Sequence, residues 1–172
     1  MSRTVYIVDG YNVLHALFRG ADKEEIFARR DWLADRLAGF VALRDAQAVL
    51  VFDGRGPEST STRPIRGAEV EVVFAGGRFT ADTLIARRIA GQPADARVVV
   101  VSADQEVQRT ASRAGVSRMT PSEFERELAA DDRRHRQALD SASDSTRMPS
   151  RLEDKVDPET LRRLEELRHK PE

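Results

Sequence analysis

Three aspartates in this chain follow runs of apolar and β-branched residues. Asp9 follows residues 4–8, Asp53 follows residues 48–52, and Asp104 comes three positions after residues 97–101. Such runs are typical of strands buried in a parallel sheet, and the carboxyl ends of parallel strands open on one crevice. The recurrence therefore predicts that three carboxylates, far apart in sequence, lie close together.

A fourth carboxylate belongs to Asp82, in the first turn of a helix predicted to begin at Thr80. Carboxylates gathered at one point repel one another unless a cation neutralises them, and oxygen ligands favour Mg²⁺ or Mn²⁺. Such a cluster suits phosphodiester cleavage, because a bound metal can activate water and stabilise charge on the leaving oxygen. We therefore expect metal ligands at four positions, Asp9, Asp53, Asp82 and Asp104, with the number of ions left open.

Each aspartate also has a structural interpretation. Asp53 can be a turn residue, while Asp82 and Asp104 can cap helices. Asp9 is the best functional candidate, because the glycine after it permits close backbone approach and Asn12 can orient water or phosphate. Ser102, near Asp104, can likewise have either a functional or a structural role.

Basic and aromatic residues near the predicted crevice are candidates for contacting RNA. Four arginines could neutralise phosphates, although exposed arginines often only solvate a surface: Arg55, Arg63, Arg66 and Arg78. Residues 55–67 are rich in Gly, Pro, Ser and Thr, which predicts an exposed, mobile loop. Tyr11 is a candidate for stacking on a base, with packing against the core as the alternative.

The alternation of strand and helix patterns predicts an α/β fold with three layers, in which a mostly parallel central sheet carries helices on both faces. Helices are predicted over residues 24–43, 80–90, 105–113 and 121–130, with Trp32 and the leucines of the first one in the core. We expect a domain over residues 1–130. The charged residues 131–156 are predicted to be a linker or a solvated helical extension, followed by a short helix within the C-terminal segment 131–172.

Composition excludes several classes of protein. The 28 basic and 29 acidic residues nearly cancel, which argues against a simple RNA-binding module but allows an acidic pocket beside a basic groove. No apolar run approaches the roughly 20 residues needed to cross a bilayer and no signal-peptide core is present, so we expect a cytoplasmic protein without a membrane partner. The absence of cysteine excludes a disulfide-linked partner, and the three scattered histidines do not favour histidine-based catalysis.

Four segments together resemble the NYN domain of YacP-like proteins. They are residues 8–12 (Val-Asp-Gly-Tyr-Asn), 51–54, 80–82 and 102–108, and their order and spacing also agree. The resemblance covers at least residues 5–128, and residues 157–168 are similar to the tail helix of the family. It implies a PIN-like, Rossmann-like fold and a divalent-metal endoribonuclease. A characterised relative associates with ribosomes and cuts messenger RNA during translation, so messenger RNA on the ribosome is an expected partner.

By matching positions, the resemblance implies that Asp9 and Asp82 are catalytic, with Asp53, Asp104 and Asn12 in support. Two positions depart from the family pattern, since Phe79 and Ala86 stand where relatives often carry acidic residues. This departure implies weaker metal binding or a single ion.

Two other functions remain open at this stage. The departures permit a non-catalytic RNA- or ribosome-binding module that has lost part of its acidic site. A phosphatase or other metal-dependent hydrolase on the same kind of sheet is a third possibility, because fold alone does not fix substrate. It lacks a nucleophile motif, since neither Asp9 nor Asp53 is followed two residues later by a second aspartate.

Overall fold

The structure, a computed structural model, describes residues 3–54, 61–65, 67–114 and 116–146 of the chain. The chain divides into two units, Met1–Asp132 and Arg133–Glu172. All the strands belong to the first unit. Among the described residues, no helix combines the length and the apolar character needed to cross a membrane.

A six-stranded sheet forms the middle of the first unit. Its strands are β1 (Thr4–Asp9), β2 (Gln47–Asp53), β3 (Ser61–Pro64), β4 (Val70–Ala75), β5 (Arg97–Val101) and β6 (Ser117–Met119). They lie in the order β3-β4-β2-β1-β5-β6. Every pairing is parallel except that of β3 with β4. The central strands are apolar on both faces, as the continuous runs of the sequence predict, because both faces are covered.

The described residues form five helices beside the sheet: α1 (Gly10–Leu17), α2 (Lys23–Arg44), α3 (Ala81–Ala90), α4 (Gln105–Arg113) and α5 (Pro121–Thr146). Successive residues of β1 point to opposite faces, and they enter two separate core clusters. Val8 packs in a cluster with Leu37 of α2 and Phe124 of α5. Ile7 packs in the other cluster with Ile85 of α3 and residues of α4. The predicted three-layer α/β fold is confirmed.

α2 occupies the range predicted for it, but Trp32 does not lie in the core. The buried side of the helix includes Leu33 and Leu37, and a residue one position before Leu33 is turned about 100° away from that side. Trp32 is consequently 37% exposed. Its ring packs edge-on against Phe18, with 5.2 Å between ring centroids.

Two elements were not predicted. α1 begins directly at Gly10, where the sequence indicated only a loop, because Asp9 both ends β1 and caps the helix. β3 lies within the segment predicted to be a loop, and it pairs antiparallel with β4 at the edge of the sheet. An edge strand needs no apolar periodicity and tolerates Pro64 at its end, so the hydrophobic pattern could not reveal it.

α5 is longer than its predicted range. The sequence placed its end at about residue 130, where apolar residues become sparse, and the helix continues to Thr146. The final short helix predicted beyond residue 156 lies outside the described residues.

The order of the strands marks where a ligand site is expected. From β1 the chain proceeds outwards through β2 to β4, and then returns to the other side of β1 to form β5 and β6. α2 covers one face and α3 the other, so the direction of winding reverses between β1 and β5. In open parallel sheets, ligands bind beyond the carboxyl ends of the strands at this switch point. Asp9 ends β1, and Ser102 directly follows β5.

Candidate active site

The side chain of Asp9 is buried at the switch point, with the residue only 8% exposed. Its Oδ1 accepts a hydrogen bond from the backbone N–H of Asn12 at 3.3 Å, which caps α1. Its Oδ2 accepts from the hydroxyl of Ser102 at 2.9 Å. Burial raises the pKa of Asp9 from 3.8 to about 6, although both hydrogen bonds act to lower it, and the charges of Asp82 and Asp53 raise it further.

The glycines that follow Asp9 and Asp53 are required by packing. A Cβ on Gly10 would lie 2.3 Å from Cε1 of the Phe52 ring, and a Cβ on Gly54 would lie 1.8 Å from the carbonyl oxygen of Ala75. The close approach that Gly10 permits is therefore that of the phenyl ring of Phe52, which belongs to the hydrophobic core. The Asp-Gly recurrence in the sequence reflects close packing where the strands end.

The loop after β5 is joined to β1 and α1 by polar contacts. Ser102 is fully buried, and its hydroxyl, besides donating to Asp9, accepts from the backbone N–H of Asp104 at 3.0 Å. The side chain of Gln108 donates to the carbonyl oxygen of Ser102. Asn12 accepts from the backbone N–H of Ala103 through Oδ1 at 2.7 Å, so this oxygen holds the loop.

Asp53 positions the start of α3. Its Oδ1 accepts from the backbone N–H of Ala81 at 2.7 Å. The cap of this helix is Thr80, whose hydroxyl accepts from the backbone N–H of Thr83 at 3.2 Å. The capping interpretation of Asp82 is therefore wrong.

The carboxylate of Asp82 is exposed and accepts no hydrogen bond from any described residue. Partial loss of surrounding water raises its pKa, and the negative charges of Asp104, Asp53 and Glu106 raise it further. Three other carboxylates thus contribute negative charge at Asp82. This is the environment in which a cation is most stabilising.

Asp104 does cap a helix. Its Oδ1 accepts from the backbone N–H groups of Glu106 at 2.7 Å and Val107 at 3.4 Å, at the start of α4. Helix capping therefore accounts for only one of the two carboxylate oxygens of Asp104. The other, Oδ2, accepts no hydrogen bond within the described part of the chain.

The four aspartates predicted from the sequence lie at the carboxyl edge of the sheet, where the charge of one acts on the pKa of another. Asp9 and Asp82 each feel the charge of Asp53, and Asp82 also feels that of Asp104. Glu106, to which sequence reasoning gave no role, adds a fifth carboxylate beside Asp82. Its position two residues after Asp104, in the first turn of α4, was the available signal.

The donors of this site fit a hard divalent ion. The oxygens that no described residue engages are those of Asp82 and the Oδ2 atoms of Asp53 and Asp104. In the described part of the chain, no three acidic or histidine side chains form a direct ligand set. Mg²⁺ commonly binds through only one or two carboxylates and keeps several waters that a phosphate can replace, so the donor chemistry agrees with such an ion.

The predicted substrate-binding residues are placed as follows. Arg78 is exposed on the turn that precedes α3. Arg63 belongs to β3, and its side chain lies outside what the structure describes, as do Arg55 and Arg66 entirely. Tyr11 is half-buried, with its ring centroid 5.0 Å from that of Phe52 and 5.6 Å from that of Phe27. These contacts support its packing role and leave stacking on a base as a prediction.

Arg30 is a basic residue that sequence reasoning missed. Its guanidinium lies over two rings, 5.1 Å from the centroid of Phe27 and 5.6 Å from that of Phe74, and Nε donates to the carbonyl oxygen of Phe27 at 3.0 Å. It forms no ion pair with any described residue. Phe74 is the penultimate residue of β4, so this cation lies near the carboxyl edge. The spacing of Phe27 and Arg30 along α2 was the only signal in the sequence.

The three-layer fold around a mostly parallel sheet is that of PIN-like domains. The chain belongs to the YacP-like NYN domain family, which matches residues 6–169, and NYN domains are generally nucleases. The resemblance inferred from the sequence is confirmed.

Solved structures agree with this fold. The chain is similar to Rae1 (YacP) from Bacillus subtilis, with 22% identity over 95% of this chain and 94% of that chain and a TM-score of 0.69. It is also similar to a single-substitution variant of the same protein, with 23% identity, 84% and 85% coverage and a TM-score of 0.70. The comparison with curated proteins finds no match.

Proposed function

We propose that this protein is a divalent-metal-dependent endoribonuclease that cuts phosphodiester bonds in RNA. The observation that supports the proposal is the repulsion among the carboxylates at the carboxyl edge: the charges of Asp53 and Asp82 contribute to raising the pKa of Asp9, and those of Asp53 and Asp104 contribute to raising the pKa of Asp82. Such a cluster stores repulsion that a divalent cation relieves. A cytoplasmic protein of this kind would meet messenger RNA on the ribosome, the substrate that the family resemblance implies.

The residues divide the work according to their contacts. Asp9 and Asp82 are the proposed principal ligands of Mg²⁺ or Mn²⁺, with Asp53 and Asp104 contributing the oxygens that no described residue engages. When bound, the metal supplies an activated water and charge stabilisation at the leaving oxygen. Ser102 and Asn12 fix the orientation of Asp9 and the loop beside it. Each oxygen of Asp9 accepts one hydrogen bond, which fixes its orientation, and we therefore propose that Asp9 is a metal ligand and not a general base or a nucleophile.

Cations near the carboxyl edge would hold the substrate backbone. Arg78 is exposed beside α3, and Arg30 lies on the other face of the sheet over Phe74. Neither forms an ion pair with a described residue. A phosphodiester chain crossing the edge between them would have its charge neutralised on both sides of the acidic cluster.

Cleavage by the purified full chain tests this proposal. An end-labelled single-stranded RNA is incubated with Mg²⁺, with Mn²⁺ or with EDTA, using wild type, Asp9→Asn and Asp82→Asn. We expect internal cuts only when metal is present, and a loss of about a hundredfold or more in each variant, because a metal ligand is removed. Asp95→Asn is the matched control, since Asp95 is an exposed carboxylate on the loop before β5, at the amino edge of the sheet.

Two results would contradict the proposal. Undiminished cleavage in EDTA would exclude a metal mechanism, and wild-type rates in both variants would exclude these ligands. RNA binding without cleavage under every metal condition would instead support the non-catalytic RNA-binding module.

A further inference from the structure

Phe79 is an exposed aromatic residue at the carboxyl edge of the sheet. It is 37% exposed, one of three large hydrophobic side chains exposed among the described residues, with Trp32 and Leu43. It lies in the turn between β4 and α3, three positions before Asp82. The backbone N–H of Phe79 donates to the carbonyl oxygen of Gly76 at 3.3 Å, and Gly77 has a φ of 67°, so the turn has a defined conformation.

A guanidinium covers one side of this ring. Cζ of Arg87 lies 4.0 Å from the centroid of Phe79, although Arg87 is two helical turns into α3. Contact at this distance is a cation–π interaction, and it holds the ring against the helix. With this guanidinium in place Phe79 is still an exposed side chain, so part of its surface is available to a second flat group.

The immediate surroundings of Phe79 are basic on the outside. Arg78 precedes it, and both Arg78 and Arg87 are exposed. Neither pairs with a carboxylate among the described residues. Asp82, one of the acidic residues of the proposed metal site, follows three residues after Phe79 in the first turn of α3. One short segment therefore presents a flat apolar surface, two cations and a proposed metal ligand.

A single exposed phenylalanine has no function by itself, because isolated apolar side chains are common on protein surfaces. The combination around Phe79 is more specific. A nucleotide has a flat base, whose face any aromatic ring can contact, and a phosphate that a guanidinium neutralises. The exposed ring of Phe79, with the guanidinium of Arg87 against it and Arg78 next to it in the sequence, offers parts that complement a base and a phosphate.

We propose that Phe79, supported by Arg87, is a stacking platform for a nucleobase of single-stranded RNA bound across the acidic site. This inference rests on the proposed function and assigns a substrate-positioning role that the family resemblance does not supply. The base lies on the exposed side of the phenyl ring, and Arg78 and Arg87 neutralise adjacent phosphates. Double-stranded RNA does not fit this platform, because its bases are already stacked within a helix.

Binding of a short RNA measures the contribution of the ring. The Asp9→Asn chain is used so that bound RNA stays intact, and a 12-nucleotide single-stranded RNA is titrated with added Mn²⁺. Phe79→Ala in this background should weaken binding by about tenfold, the usual effect of removing one stacking partner. Phe79→Trp should restore it, since a larger ring provides the same flat surface.

Two further variants separate stacking from other effects. Leu43→Ala is the matched control: it removes another exposed apolar side chain, at the end of α2 near the amino edge of the sheet. It should leave binding unchanged. Arg87→Gln should weaken binding and reduce the dependence of log Kd on log salt concentration by about one, because one phosphate contact is lost.

An abasic scan identifies the stacked nucleotide. Single abasic sites are placed in turn along the same RNA, and each is titrated against chains with and without Phe79→Ala. One position should lose about tenfold in affinity when Phe79 is present and almost nothing when it is absent, because the two changes remove the same contact.

Equal binding by the Asp9→Asn chain and its Phe79→Ala derivative would overturn the platform while leaving a metal-dependent nuclease intact. Failure of the wild-type chain to bind or cut RNA would overturn both proposals. A loss in Phe79→Ala that is the same at every abasic position would also overturn the platform, since the ring would then act through the fold or through another partner.

Discussion

The hydroxyl of Ser102 donates a hydrogen bond to Oδ2 of Asp9 across 2.9 Å and thereby joins the ends of β5 and β1. The same hydroxyl accepts from the backbone N–H of Asp104 at 3.0 Å. A fully buried group thus fixes one carboxylate and the loop that carries another. Its hydrogen bond lowers the pKa of Asp9 and opposes the larger effect of burial. Ser102 is therefore a positioning residue for the acidic site.

Ser102→Ala should impair cleavage without unfolding the protein. Loss of the hydrogen bond leaves the buried Asp9 carboxylate less stabilised, so its pKa moves further upward and the ionised fraction falls at neutral pH. We expect about a tenfold lower rate at pH 7, a rate–pH profile displaced to higher pH, and recovery in Ser102→Thr. A uniform loss at every pH, shared by Ser102→Thr, would contradict this role.

The raised pKa of Asp9 predicts how stability depends on pH in metal-free protein. Folding raises this pKa from 3.8 to about 6, so the folded state favours the protonated carboxyl. The resulting stabilisation is fully present below pH 3.8 and is lost as the pH rises through about 6, which amounts to about 3 kcal/mol at higher pH.

Asp9→Asn removes this dependence, because an amide does not ionise in this range. In EDTA, its free energy of unfolding should exceed that of wild type by about 3 kcal/mol at pH 8, and the difference should nearly vanish at pH 4. Urea unfolding at both pH values measures this, with Asp95→Asn as the control. A difference that does not change with pH would show that the folded environment does not disfavour the charged form.

Asp53 should affect activity through both its position and its charge. Asp53→Ala removes the acceptor for the backbone N–H of Ala81, which holds the start of α3 and therefore Asp82. We expect a loss of about 1 kcal/mol in unfolding free energy, as for other helix-terminus contacts, together with a lower cleavage rate.

Asp53→Asn separates the two roles, because the amide oxygen can still accept from Ala81 while the charge is gone. This variant should keep the stability of wild type and still require a higher Mn²⁺ concentration for half-maximal cleavage. If Asp53→Asn needs the same Mn²⁺ concentration as wild type for half-maximal cleavage, the charge of Asp53 does not contribute to metal binding and its role is only to hold the start of α3.

Much of the framework of this site follows from hydrophobic pattern alone. The runs before Asp9 and Asp53 predicted buried parallel strands, and the position of these two aspartates at the ends of neighbouring strands followed from that arrangement. Local chemistry was less visible. Asp82 and Asp104 both lie at the starts of helices, but only Asp104 caps its helix. The cap of α3 is Thr80, whose hydroxyl accepts a hydrogen bond from the backbone N–H of Thr83.

What the sequence could not reveal depends on contacts between distant residues. The exposure of Trp32 depends on which side of α2 is buried, and β3 exists because β4 offers an edge to pair with. The roles of Ser102 and Asn12 depend on pairings across about 90 residues of sequence, which no local pattern encodes. Propensity and periodicity act over a few residues, so they cannot identify these partners.

A buried ion pair between α2 and α5 should contribute to stability. Arg44 contacts Glu127 at 2.6 Å and also pairs with Asp131, and its Cζ lies 3.9 Å from the centroid of Phe40. Asp131 is buried, so Arg44→Met would leave its charge without this partner. We expect a loss of about 2 kcal/mol in unfolding free energy, measured at pH 7, because a charged hydrogen-bonding partner of a buried group is removed.

Arg97→Met is the control for this measurement, because Arg97 is exposed at the start of β5. It should change stability by no more than about 0.5 kcal/mol. Equal effects of the two substitutions would show that the pair with Asp131 contributes no more than a surface charge.

Crystals soaked in Mn²⁺ show whether the carboxylates at the ends of β1 and β2 and at the starts of α3 and α4 form one metal site. Anomalous scattering locates the ion independently of activity. We predict a Mn²⁺ peak among Asp9, Asp82 and Asp104, within about 2.0–2.5 Å of at least one carboxylate oxygen, and its loss in Asp82→Asn. If crystals of protein that cuts RNA show no peak at these carboxylates at saturating Mn²⁺, the carboxylates do not form the metal site.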